Sequence, residues 1–109
     1  MNYSFQDEDL EAFISDCKAA GNKYKKYARN KLFYTNLVKV FQIFYSVENT
    51  RELNKYSFLH YEKLKHTKEP ISSVRVANNS VERILFKELN DGIEIIVLEL
   101  DSTHYGNKK

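Results

Sequence analysis

The sequence contains no tryptophan, one cysteine, one proline and three glycines among its 109 residues. A lone cysteine, Cys17, excludes an internal disulfide and a cysteine-based zinc site, and fits a reducing compartment. The scarcity of Gly and Pro, beside eight Tyr and seven Phe, excludes a disordered or low-complexity chain. No apolar run approaches the roughly 20 residues that a membrane-spanning helix needs. The acidic opening MNYSFQDEDLEAF lacks the basic and then apolar pattern of a secretory signal, so the expected location is cytoplasmic and no membrane contact is expected. The length fits one domain, residues 1–109, with a real core.

Charge of one sign is also missing locally. Residues 1–16 hold five acids and no base, whereas residues 17–47 hold seven Lys/Arg and no acid (Lys18, Lys23, Lys25, Lys26, Arg29, Lys31 and Lys39). The total of +2 conceals this asymmetry. A solvated helix face commonly mixes both signs, so a block of one sign points to a polyanion or an acidic partner. A plain solvated face remains the alternative.

Elements follow from periodicity and turn chemistry. Asn2–Phe5 reads as a short strand. Ser4 or Asp7 can then cap a helix whose apolar stripe is Leu10, Phe13, Ile14, Cys17 and Ala20, ended by Gly21. Cys17 on that stripe reads as core. A second helical region spans about Lys23–Val47, with Phe33, Leu37, Val40, Phe41 and Phe44 on one face and a break near Asn30 or Asn36. Thr50–Asn54 reads as a short turn. The pattern then changes to strands at Ile71–Val76, Val81–Leu89 and Ile93–Leu100, with Phe58–Lys65 a weaker candidate leading into them. "ANNS" and "NDG" between the strands are hairpin chemistry, because Asn, Asp and Gly tolerate positive φ. The expected fold class is α+β, with N-terminal helices packed on one face of a C-terminal antiparallel meander.

Register decides where the charges stand. A turn about Asn79 pairs Val74 with Ile84 and Ser72 with Phe86, and sets Arg75 directly opposite Arg83. Like charges so opposed are destabilising unless an anion sits between them. A turn at "NDG" would put Glu99 beside Arg83. The alternative, a two-residue Asn78–Asn79 turn, pairs Arg75 with Glu82 in a salt bridge. The first register segregates polar from apolar residues better.

Four segments occur in order after residue 61: "EKLKH" at Glu62–His66, "SVRV" at Ser73–Val76, "ERILF" at Glu82–Phe86 and "HY" at His104–Tyr105. Together they resemble the RelE/ParE superfamily of bacterial toxins, most closely the YoeB-type and HigB-type mRNA interferases. The resemblance covers residues 58–105; the N-terminal half matches only in order of elements. Ser72 stands where that family usually has an aromatic residue, and the loop between the two arginines is longer by two.

The resemblance implies a RelE-like fold and the toxin of a type II toxin–antitoxin pair, a ribosome-dependent mRNA endoribonuclease. Glu62 would be the general base, Arg75 and Arg83 would hold the scissile phosphate, His104 would be the acid and Tyr105 would stack on a base. Lys23, Lys25, Lys26, Arg29, Lys31, Lys65 and His66 would contact RNA or the ribosome, with Tyr24 and Tyr27 available to stack. The implied partners are a cognate antitoxin, the ribosome and mRNA, with a homodimer left open. No cofactor is expected. His60, His66 and His104 have no recognised metal-ligand spacing. Two rivals stand beside this reading: a non-catalytic ParE-like inhibitor of DNA gyrase, and an RNA-binding module of the same fold whose activity has lapsed.

Overall fold

A computed structural model describes residues 1–65, 67–78 and 80–102. Strand β1 (Asn2–Phe5) leads into helix α1 (Glu8–Ser15). Asp7 caps α1, its carboxylate accepting from the backbone N–H of Asp9 and Leu10 at 3.0 and 3.1 Å. The expected continuation of α1 to Gly21 does not occur. Asp16 is extended and its side chain accepts from the Lys18 N–H, so a short Asp turns the chain out of the helix, and Cys17–Ala19 form a separate 3-10 turn. Cys17 is accordingly only partly buried, with its thiol donating to the Ala28 carbonyl.

The second helical region divides near Asn30 and not at Asn36. Lys25–Tyr27 is a 3-10 turn. Helix α2 (Lys31–Ser46) then begins under an Asn30 cap, whose side chain accepts from the Phe33 N–H. Leu37, Val40, Phe41, Ile43 and Phe44 form its buried stripe. Thr50–Lys55 is 3-10, as is Ser57–Leu59, so most of the weak strand candidate at 58–65 is not strand. No helix among the described residues is long and apolar enough to cross a membrane.

The remaining strands are β2 (Glu62–Lys63), β3 (Ser72–Arg75), β4 (Arg83–Leu89) and β5 (Glu94–Asp101), in a five-stranded sheet of order β1-β5-β4-β3-β2. The expected antiparallel meander is present as β2 to β5. The sheet as a whole is nevertheless mixed, because β1 lies parallel to β5. Asn90, Asp91 and Gly92 all have positive φ in the turn before β5, as their side chains permit. At Gly92 a Cβ would lie 2.4 Å from Thr50 Oγ1, so the turn packs against the 50–55 segment and admits only glycine.

Between β3 and β4 the pairs are Ser72–Phe86, Ser73–Leu85, Val74–Ile84 and Arg75–Arg83. The register that opposes the arginines is therefore the observed one, and the Arg75–Glu82 pairing is absent. Ser80 supports the loop, its hydroxyl accepting from Ala77 N–H and donating to the Glu82 carbonyl. The expected placement of Glu99 beside Arg83 is corrected by an irregularity at Leu85/Phe86: Phe86 pairs with Val97 but Leu85 with Glu99, which brings Asp101 opposite Arg83. Val74, Ile84, Phe86, Ile95, Val97 and Leu100 join residues of both helices in the core, with Phe44 and Phe86 edge to face. Glu62, Ser73, Arg75, Arg83 and Leu85 alternate to the other face.

Candidate active site

Three of the catalytic candidates meet on that second face. Glu62 stands opposite Ser73, and Arg83 stands opposite Arg75. The Arg83 Nη1 lies 3.6 Å from Glu62 Oε2. Strand β2 is only two residues long, but Leu64 N–H donates to the Ile71 carbonyl at 2.8 Å and extends its pairing to β3. Directly opposed side chains in such pairs have Cβ atoms about 5 Å apart, so the two arginines are neighbours on this face, with the Glu62 carboxylate at Arg83 and Asp101 opposite Arg83 on the β5 side. The Arg83 side chain is 12% exposed and that of Glu62 51%, so the carboxylate lies on the solvent side of the pair.

Beneath it are two polar atoms without a hydrogen-bond partner among the described residues, Ser73 Oγ and Arg75 Nε. Ser73 is 1% exposed. A buried hydroxyl left unpaired costs about 1–3 kcal/mol, and charged donors cost more. Two such donors on one strand, two residues apart on the same face, form a local concentration of unsatisfied N–H and O–H. The arrangement can bind an anion, and it places a carboxylate within reach of whatever binds. Asp101 and Glu99 lie on the same face opposite Arg83 and Leu85, which confines the positive region to the β2–β3 side. His66, His104 and Tyr105 lie outside the described residues; Asp101, three positions before His104 in sequence, stands opposite Arg83 in the β4–β5 register.

The basic segment is only partly what its sequence implies. Lys25, Lys26, Arg29 and Lys31 are exposed, and so is Lys65 in the loop after β2. Arg29 and Lys31 flank the start of α2, whose first turn carries no acid, so their charge adds to the positive end of the helix dipole. Lys23, by contrast, is paired with Asp7 at 3.1 Å. Tyr24 is 1% exposed and cannot stack on RNA: its hydroxyl donates to Asp7, and its ring stacks on Phe13. Burial, with the Asp7 hydrogen bond added, pushes the Tyr24 hydroxyl far above its ordinary pKa. Tyr27 is half-buried and stacks on Phe33 at 4.7 Å, with the Lys26 ammonium over it. Lys23 thus stays at the surface but is engaged by Asp7, whereas Tyr24 and Tyr27 are taken up by contacts within the fold.

A second polar cluster was missed by sequence reasoning. The Glu88 carboxylate accepts hydrogen bonds from Thr50 at 2.9 Å, from Ser72 at 2.6 Å and from the Tyr61 hydroxyl. It borders a cleft of about 800 Å³ that Arg51, Lys63, Pro70 and Gly92 also line. Burial raises the Glu88 pKa, but the hydroxyls of Ser72, Tyr61 and Thr50 outweigh it and hold the carboxyl below its usual range. Burial and the Glu88 bond push Tyr61 up to about 12. The signal was legible: Ile84, Phe86 and Glu88 share one strand face by the period of two, so an acid occupied a core-facing position. Ser72 also faces this cluster and not the arginines.

No protein-family model, curated protein or solved structure matches the chain.

Proposed function

We propose that the protein is a RelE-like toxin that cleaves mRNA in the ribosome by metal-free acid–base chemistry. The observation that supports it is the opposition of Arg75 and Arg83 across β3–β4 with Glu62 reaching over from β2. Two neighbouring arginines on one sheet face suit the oxygens of a phosphate. In the proposed reaction Glu62 takes the proton of the 2′-hydroxyl, and the 2′-oxygen attacks phosphorus. Arg75 and Arg83 offset the charge of the phosphorane. His104 gives a proton to the departing 5′-oxygen, leaving a 2′,3′-cyclic phosphate and a 5′-hydroxyl. Tyr105 stacks on a neighbouring base.

An exposed carboxylate is a weak base for a hydroxyl, so the rate would come largely from positioning of the substrate by the ribosome. Lys25, Lys26, Arg29, Lys31 and Lys65 supply phosphate contacts to ribosomal RNA. The same reading implies a cognate antitoxin and a cytoplasmic site of action. Inducing the protein in growing cells and mapping mRNA 5′ ends by primer extension tests it. Growth arrest with new 5′-hydroxyl ends inside coding regions is the expected result. Arrest without cleavage, or with undiminished cleavage in soluble Glu62→Gln and His104→Ala variants, would overturn it.

A further inference from the structure

Strand β3 lies between β2 and β4, yet the Glu62–Arg83 ion pair joins β2 to β4. The two side chains must therefore meet above β3. Glu62 starts opposite Ser73 and Arg83 opposite Arg75, so their contact crosses the strand between those two residues. Ser73 Oγ and Arg75 Nε, the donors without a partner among the described residues, lie on the strand that this contact crosses. At 3.6 Å the pair is longer than a good charge-assisted hydrogen bond. Its carboxylate is half exposed, so it is readily exchanged.

We propose that the Glu62–Arg83 pair is a latch over a phosphate subsite formed by Ser73 Oγ and Arg75 Nε, and that an incoming phosphodiester opens it by displacing Glu62 from Arg83. Ser73 is then a positioning residue, donating its hydroxyl to a non-bridging phosphate oxygen while Arg75 donates Nε–H to the other. The exchange has a mechanistic consequence. Arg83 passes from carboxylate to phosphate, and the Glu62 carboxylate is released as a proton acceptor only when a phosphate is in place. The inference deepens the proposed function and rests on it for the identity of the anion; the latch itself rests on register and burial.

The test measures binding and does not require cleavage. Inorganic phosphate and a 2′-deoxy dinucleoside monophosphate, which has no attacking hydroxyl, are titrated into the full chain by calorimetry. Arginine Nε–Hε resonances are followed by NMR. Glu62→Gln removes the competing carboxylate and is expected to tighten binding of both probes by roughly three- to fivefold. Ser73→Ala, introduced into that variant, is expected to weaken binding about tenfold. The Arg75 Nε–Hε signal should move on saturation in the native chain. Binding that Glu62→Gln leaves unchanged or weakens, or an Arg75 signal unmoved at saturation, overturns the latch. The two ideas fail separately. Tighter binding in Glu62→Gln without any mRNA cleavage by the native chain would sink the nuclease and keep the latch, and Glu62-dependent cleavage with indifferent binding would do the reverse.

Discussion

Glu62 and Glu88 lie on β2 and β4 of one sheet, with β3 between them, and their surroundings give them opposite duties. Glu62 is half exposed and its ion pair with Arg83 is a long one of 3.6 Å, so removing its charge should cost the fold little. If the proposed nuclease reading holds, Glu62→Gln lowers ribosome-dependent cleavage by roughly 10²- to 10⁴-fold, as for loss of a general base, with a thermal midpoint close to the parent's. Single-turnover cleavage and a melting curve on the same preparation check both halves. Glu88 is the converse case. Thr50, Tyr61 and Ser72 all donate to it, and these residues come from three different segments. Glu88→Ala strands three hydroxyls, one of them on buried Thr50 and one on buried Ser72. It should destabilise the chain by about 2–4 kcal/mol in urea unfolding, with the Arg75–Arg83 face affected only through stability.

At the scale of elements, the order of helices and strands was legible because amphipathic period and turn chemistry agree: Asn30 caps α2, and Asn90–Gly92 take positive φ. The opposed arginines were legible for the same reason, since only one register buries Val74 with Ile84. What failed depended on single side chains that periodicity does not weigh, some of them with partners distant in sequence. The stripe through Cys17 and Ala20 promised a longer α1, but the Asp16 side chain competes for the backbone and ends it. The irregularity that exchanges Asp101 for Glu99 opposite Arg83 has no local marker. The basic block looked uniform, yet Lys23 answers Asp7 from 16 residues earlier. This division can be tested. Reversing charge at Lys25, Lys26 and Arg29 should weaken ribosome association at least tenfold and flatten its salt dependence, because each lost phosphate contact releases fewer counterions. Lys23→Glu should instead lower the melting temperature, since it places a carboxylate against Asp7. Sedimentation with ribosomes across a salt series separates the two effects. Equal loss of binding from Lys23→Glu at unchanged stability would show that the block acts as one surface.

For the whole molecule, two carboxylates join parts that the chain itself keeps apart. Asp7 holds the start of α1 to Tyr24 and Lys23, and Tyr24 in turn accepts a hydrogen bond from the Leu100 N–H of β5 at 3.4 Å. Glu88 holds the 50–55 turn and Tyr61 to the sheet. Burial raises the pKa at both, and the donated hydrogen bonds prevail, so both carboxyls titrate below their usual range. A group whose folded pKa is depressed contributes stability that is fully present above its unfolded value and is lost as pH falls through the folded one. With unfolded carboxylates near pH 4, the melting temperature should hold down to about pH 5 and drop steeply below about pH 4. Tyr61 gives the opposite limit. Raised to about 12, it contributes stability that is present below its unfolded value near 10 and lost as pH rises between them. Thermal unfolding of the native chain and of Asp7→Asn/Glu88→Gln from pH 3 to pH 8 measures the acid limb. The double variant should be less stable at pH 7, and its difference from the native chain should shrink as pH falls, because protonation progressively removes the native carboxylates' charge. Parallel curves, with the same difference at pH 3 as at pH 7, would mean that the two sites stabilise the fold by shape and packing and that their charge does nothing.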